Sequence, residues 1–407
     1  MSPKTSHSLP RLVAVVAHVV LFVATGLLIK YGIHPDLGAA SWSYRIYYDY
    51  ASQAMHGQVP YRDYLVEYPI LTFPLFLFPR LFAPDFPGYC IVFGVEMLLF
   101  DVAAIVLIAR HVEETEGTEQ VAGKLAWYTV FCTSLAPLVV GRFELAPMVF
   151  AFAAARWWFA GRYVLGGLTA GLGTLLKVFP GLVAAPALVW ELARLRISGA
   201  RGTLAFLATL TVGGAGWFLL GGSNVLESFR YHAERGLGIE SLYAGALLAR
   251  GKLAGIAVPW VIEHKAVHLV PEWGSRPAAL AAPLEAAALL LVLIQFRRRG
   301  LAEGVRYAGA AVLASLVTAK VLSPQYLIWL FPFVTVLGGW TGGRARWLFL
   351  LVCLTTALIY PGPAFAQLLD NQGTAIFLLN FRNFLLLVLL ALLIFGPAVD
   401  NPRDSTA

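Results

Sequence analysis

Long apolar runs alternate along the chain with short polar or charged breaks, and within each run the apolar positions are continuous. Continuity predicts lipid-buried helices, since a transmembrane β-barrel would alternate apolar and polar residues instead. A helix needs about 20 apolar residues to cross the hydrocarbon core, fewer where it ends in a protein cavity. On that rule about twelve spans are expected: 11–31, 86–110, 124–140, 143–159, 164–176, 179–194, 203–220, 277–296, 305–322, 325–341, 346–361 and 376–397. The stretch Tyr68–Phe82 is apolar but carries Pro69, Pro74 and Pro79. Proline removes backbone donors and kinks helices, so this stretch reads as a re-entrant or interfacial piece. The expected fold is all-α: one polytopic transmembrane helical bundle filling 1–407, with large polar loops at 32–85 and 221–276. The first apolar stretch, Leu12–Ile29, has no small-residue cleavage site before Lys30-Tyr31 and reads as an uncleaved first helix.

Composition agrees with this pattern. Apolar residues make up 59% of the 407 and charged residues 13%, against about a quarter in soluble domains. The net charge of +7 is spread singly or in short clusters between the apolar runs, which argues against nucleic acid as a partner. Cys90, Cys132 and Cys353 all lie in apolar segments, so neither a disulfide framework nor a metal cluster is expected, and no cofactor is implied.

Basic residues set the orientation. A cytoplasmic N-terminus puts 111–123, 160–163, 195–202, 297–304, 342–345 and the C-terminal tail inside. Arg194, Arg196, Arg201, Arg297-Arg298-Arg299 and Arg344 then lie in or beside inner loops, as the positive-inside rule requires. One inner loop departs: His111–Gln120 carries four glutamates. The outer set is 32–85, 141–142, 177–178, 221–276, 323–324 and 362–375.

Five polar constellations fall on that outer side. In the first loop, Ile46, Tyr50, Gln53 and Ala54 have helical spacing and predict a short amphipathic helix at the membrane surface. Asp49, Asp63 and Glu67 lie close in sequence beside Arg45, Arg62 and Tyr68. The set reads as a salt-bridged loop or as a site for an anionic, polyhydroxylated ligand. Arg142-Phe143-Glu144 separates two apolar runs, and a charged pair there must pair with itself or face a wet cavity. Lys177 is a lone lysine between two runs, either snorkelling to headgroups or aimed at a phosphate. Arg230, His232, Arg235 and Glu240 crowd the second loop, where arginines suit phosphate oxygens and the bland reading is a soluble loop helix. Lys320, Gln325 and Tyr326 form the fifth group, with Ser323. Glu96 and Asp101, inside the second span, are the exceptions, and both are expected to pair with a basic residue of a neighbouring helix.

The string Gly57-Gln-Val-Pro-Tyr-Arg-Asp63-Tyr-Leu-Val-Glu67-Tyr-Pro69 resembles the first-loop signature of the glycosyltransferase 87 family (DUF2029), of the GT-C superfamily. The likeness recurs at Gly141–Pro147, Leu176–Pro180, Tyr231–Gly236, Ile239–Leu242 and Lys320–Tyr326, in order along the chain from about 40 to 340. The family is similar to polyprenyl-phosphomannose-dependent α-mannosyltransferases. The resemblance implies a GT-C bundle that moves a hexose, mannose being expected, from a polyprenyl-phosphate donor to a glycolipid or glycan acceptor. Transfer would occur with inversion on the extracytoplasmic face of a bacterial plasma membrane, with both termini cytoplasmic. It also implies Asp49, Asp63 or Glu67 as general base. Arg62, Tyr68, Arg142, Glu144, Lys177, Arg230, His232, Arg235, Glu240, Lys320, Gln325 and Tyr326 are the expected donor-phosphate or substrate contacts. Two positions depart: Ser43 stands where the family usually has an aspartate, and Glu144 where its corner motif has one. The rival readings are a secondary transporter, which would favour midplane charges and inverted repeats, and a non-catalytic member that handles lipid-linked sugars.

Overall fold

The structure is a computed structural model describing residues 8–30, 38–193 and 200–397. Arg194, Arg196 and the tail beyond 397, used above for orientation, lie outside the described residues. The chain opens with α1 (Leu9–Lys30), α2 (Gly38–Met55), α3 (Thr72–Phe82) and the long α4 (Phe86–Thr115). Next come α5 (Val121–Ser134), α6 (Ala136–Gly141), α7 (Leu145–Phe159), α8 (Tyr163–Leu176) and α9 (Pro180–Leu192). The second polar loop follows α10 (Arg201–Gly221). It holds α11 (Val225–Glu234), α12 (Leu242–Leu253), the antiparallel strands β1 (Trp260–Glu263) and β2 (Ala266–Leu269), and α13 (Pro271–Ala279). The remainder is α14 (Ala281–Arg299), α15 (Gly304–Thr318), α16 (Phe331–Val336), α17 (Gly339–Ile359), α18 (Ala364–Leu369) and α19 (Gly373–Phe395).

Six stretches are long and apolar enough to cross a membrane: α1, α4, Arg201–Glu234, Pro271–Arg299, α17 and α19. The chain is an all-α membrane protein. The apolar runs at 143–159, 164–176, 179–194 and 325–341 form shorter helices, α7, α8, α9 and Pro324–Val336. Proline sits at the first or second position of α6, α9, the 3-10 turn Pro324–Leu330 and α16, starting each helix where its missing N–H costs nothing. The Tyr68–Phe82 stretch contains the 11-residue α3, with Pro79 inside it.

α7, α15 and α16 are buried along almost their whole length and form the centre. α1, α10 and α14 turn most of their apolar side chains outward, as perimeter helices do where the solvent is lipid. Small residues let inner helices approach. A Cβ on Gly167 of α8 would lie 2.0 Å from the Gly202 carbonyl oxygen, so any side chain there would force α8 and α10 apart.

Buried polar side chains staple the bundle. His18 of α1 bonds Asp101 of α4 through Nδ1 and Thr129 of α5 through Nε2, 3.0 Å away. Tyr128 donates to the other Asp101 oxygen at 2.7 Å. The basic partner expected for Asp101 is therefore His18. The basic partner expected for Glu96 is not found among the described residues: the side chain is buried, and one of its oxygens has no hydrogen-bond partner there.

Three of the four glutamates in the acidic loop that departed from the orientation pattern are paired one by one. Glu113 pairs with Arg11 of α1, Glu114 with Arg156 of α7 (2.5 Å), and Glu116 with Lys124 of α5 (2.7 Å). Lys124 also donates to the Leu337 carbonyl at 2.6 Å. At this same end Arg306 pairs with Glu303 at 2.9 Å and donates to the Leu393 and Gly396 carbonyls, closing the C-terminus of α19.

Candidate active site

The chain crosses to the other end of the bundle wherever α6, α8 and α15 stop and α7, α9 and the 324–336 segment begin. Each break places a polar residue in extended backbone: Arg142 after α6, Lys177 after α8, and Ser323 before Pro324. A residue preceding proline is pushed out of the helical region, which accounts for Ser323.

Glu144 starts α7 with only 1% of its surface exposed. It accepts from Lys177 Nζ at 2.6 Å and from Trp329 Nε1 at 2.5 Å. The Lys177 ammonium also sits over aromatic faces, 4.5 Å from the Phe143 ring centroid, 5.1 Å from Tyr326 and 5.2 Å from Trp329. Such faces attract a cation while leaving hydrogen-bonding positions free for an anion. Trp329 is stacked between Phe179 (3.9 Å) and Tyr326 (4.3 Å), which fixes this wall. Gln325 lies half-buried beside it.

α2 supplies a second wall. Its buried face is Ser43, Tyr44, Tyr47, Tyr50 and Ala51. Of the face expected from spacing only Tyr50 is fully buried, while Ile46, Gln53 and Ala54 are half-buried. The tyrosines turn inward because their phenols find acceptors there: Tyr44 donates to the Val140 carbonyl at 2.7 Å, and Tyr50 donates to Glu67. Ser43 accepts from Arg142 Nη1. Tyr47 stacks on Phe76 at 4.2 Å, and Tyr68 meets Phe143 edge-on at 5.1 Å.

Glu67 is the buried acid of this wall, 5% exposed. Besides Tyr50 it meets Lys265 Nζ at 3.1 Å, and Lys265 also donates to the Tyr50 hydroxyl at 2.7 Å. The preceding loop is gripped by one face of the segment that begins α11. Asn224, Ser228 and His232, four residues apart, donate to the carbonyls of Arg62 (3.2 Å), Val66 (2.7 Å) and Glu67 (2.8 Å). His232 is thus engaged in holding the loop. Tyr68, next to Glu67, lies 5.9 Å from Lys177 Nζ and joins the two halves of the cluster.

Arg235 and Lys320 close the third side. Lys320 Nζ donates to the Ala233 carbonyl at 2.6 Å, and its own carbonyl accepts from Gly238 N at 2.9 Å. Burial pushes the Lys320 amine below its ordinary range, and the nearby charge of Arg235 pushes the same way. Arg142, Lys177, Arg235, Lys265 and Lys320 thus outnumber the buried acids Glu67 and Glu144 in this region.

Several expected site residues lie elsewhere. Asp49 faces outward from α2, 3.4 Å from Arg45. Asp63 is exposed and forked by Arg62 at 3.0 and 3.1 Å, which holds its carboxyl below the usual range. Arg230 is exposed and paired with Glu227 at 2.8 Å. Glu240 is buried away from the cluster, beside Arg382 of α19 at 3.6 Å, and Arg382 also donates to its carbonyl at 2.7 Å. Burial pushes the Glu240 carboxyl up to about 7 despite Arg382, so this residue serves as a tether between the second loop and α19.

Sequence reasoning missed Lys265, Trp329 and Tyr50 as members of the cluster. The two apolar β-strands flanking His264-Lys265 were the available signal, but the turn lacks the Asn-Gly or Asp-Gly pair that marks a hairpin.

The chain matches no protein-family model and no curated protein.

Proposed function

We propose that this cluster is the active site of a GT-C-type membrane glycosyltransferase of about twelve spans. Both termini are cytoplasmic, and the site faces the extracytoplasmic side of a bacterial plasma membrane. The donor is a polyprenyl-phosphate hexose, mannose being the expected sugar, and the acceptor is a glycolipid or glycan hydroxyl.

The observation that carries this reading is Glu67. Of the candidate bases Asp49, Asp63 and Glu67 it alone is buried, and it faces a cluster with a surplus of cations and a lining of aromatic rings. Surplus cations suit a phosphate, and aromatic walls suit a sugar ring and an isoprenoid. In the proposed step the acceptor oxygen bonds to the anomeric carbon as the carbon–oxygen bond to phosphate breaks. The acceptor proton goes to Glu67, the bonding pair leaves with the polyprenyl phosphate, and the anomeric configuration inverts. Lys177, Arg142 and Arg235 stabilise the charge gathering on the departing phosphate. No metal or cofactor is part of this step.

Ser43 favours a second reading. It meets Arg142 where the family's usual aspartate would neutralise that arginine. A chain without that carboxylate suits a non-catalytic binder of lipid-linked sugars.

The test is transfer of radiolabelled sugar from polyprenyl-phosphomannose to membrane glycolipid by the purified protein. Glu67→Gln is expected to lose about 10²–10⁴-fold in kcat, the range for a general base. Asp49→Asn and Asp63→Asn should stay within about threefold of wild type. Donor binding without transfer would establish the second reading, and solute uptake into proteoliposomes without a new glycosidic bond would establish a transporter.

A further inference from the structure

The turn between β1 and β2 is a strained point of this region. The strands pair Trp260 with Leu269 and Glu263 with Ala266, leaving a two-residue loop of His264 and Lys265. Both loop residues have positive φ, 49° and 57°. A two-residue loop of this hand ordinarily takes Asn-Gly or Gly-Gly, because a Cβ in the left-handed region is disfavoured. Such strain survives only where the surroundings hold it, and it gathers at ligand-binding places.

Here the surroundings do hold it. The His264 carbonyl accepts from Tyr231 at 2.6 Å. β2 is bonded to the 237–239 segment, by Ile239 N to the Val267 carbonyl (3.1 Å) and by Leu269 N to the Leu237 carbonyl (2.9 Å). Behind the strands, Trp260 donates to the Leu369 carbonyl at 2.9 Å. The hairpin is therefore anchored at its base, and its tip delivers one flexible cation, Lys265, onto Glu67 and Tyr50.

That contact opposes the role proposed for Glu67, since Lys265 occupies the carboxylate oxygen and the neighbouring Tyr50 hydroxyl where an acceptor hydroxyl would have to approach. We infer that Lys265 is a donor-phosphate ligand that exchanges partners: it rests on Glu67 when the site is empty and moves to the phosphate of a bound lipid-phosphate donor, freeing Glu67. The inference rests on the glycosyltransferase reading of the same cluster. A lysine suits the exchange, because its charge sits on a four-carbon stem with freely rotating donors. Lys265 keeps 38% of its side chain exposed, so it is free to swing, whereas Lys177 is boxed in by Glu144 and three rings.

The test measures binding of farnesyl phosphate to the full-length protein in detergent, with farnesol and inorganic phosphate as controls. Wild type is expected to prefer farnesyl phosphate to farnesol, and inorganic phosphate to compete only at high concentration. Lys265→Gln should weaken farnesyl phosphate binding about tenfold or more, the loss of one charge-assisted contact, and Lys265→Arg should stay within about threefold. Glu67→Gln should tighten binding, because Lys265 no longer has to leave a partner. That gain should vanish in the double variant, a coupling that a merely structural lysine would not give. Thermal melting of each variant confirms that it is folded. Equal farnesyl phosphate affinity in wild type and Lys265→Gln, or a Glu67→Gln gain that persists without Lys265, would overturn the exchange while leaving the site reading in place. Failure of wild type to distinguish farnesyl phosphate from farnesol would overturn both.

Discussion

The two ends of the bundle use charge in opposite ways. At one end four acids meet bases, Glu113 with Arg11, Glu114 with Arg156, Glu116 with Lys124 and Glu303 with Arg306, and the buried Glu191 is satisfied by Trp158 and Thr203. Spare donors there go to backbone carbonyls such as Leu337 and Gly396. At the other end Lys177 and Lys265, which lie over aromatic rings, take the buried acids Glu144 and Glu67, while Arg142, Arg235 and Lys320 have no acid within ion-pair distance among the described residues. The first arrangement is complete without a ligand and ties helices together. The second holds surplus positive charge against flat apolar walls, which costs stability unless an anion arrives. Charge count alone does not separate structure from function; whether the charges are already matched does.

Substitutions can break that contrast, beginning with the largest effect. Lys177→Met should cut transfer about 10²–10³-fold, as removal of a transition-state donor does, while also leaving Glu144 buried without its ion pair. Restoration of both activity and melting temperature by Lys177→Arg would count against a fitted ammonium site. At the opposite end, Lys124→Ala should lower stability by about 1–3 kcal/mol, the cost of unsatisfied buried acceptors, and leave turnover of the folded fraction unchanged. A loss of turnover at constant stability there would dissolve the distinction between the ends.

A milder effect concerns pH. His268 of β2 is buried, and burial pushes its ring down to about 4 from 6.5, with the positive charge of Arg235 and then His264 adding to the shift. The unfolded chain therefore binds the extra proton first. The contribution is complete above about pH 6.5 and is lost as pH falls toward 4, with a slope of at most about 1.4 kcal/mol per pH unit. Melting curves of wild type and His268→Asn should converge at acid pH, and parallel curves would exclude His268 as the cause. The smallest effect is expected for Arg230→Ala, an exposed pair whose removal should change stability by less than about 1 kcal/mol and leave transfer intact.

Much of the architecture was legible in the sequence because it depends on local facts. Apolar runs mark helices, and prolines such as Pro180 and Pro324 mark their restarts. The corners at Arg142, Lys177 and Lys320 could be read as polar interruptions with a shared address. What could not be read was which acid turns inward. Asp49, Asp63 and Glu67 are similar in sequence context, but Asp49 and Asp63 each have an arginine placed to hold them in solvent. Only the approach of Tyr50 and Lys265, from 17 and 198 residues away, draws Glu67 inward. Long-range pairing also hid the role of Glu240, whose partner Arg382 lies on α19.

The most direct measurement is the structure of the purified protein with a polyprenyl-phosphate sugar bound. The account predicts the phosphate within hydrogen-bonding distance of Lys177 and Lys265, with the sugar facing a Glu67 that Lys265 has left. Donor density at the Lys124–Glu116 end, or a phosphate beyond reach of both lysines, would contradict it.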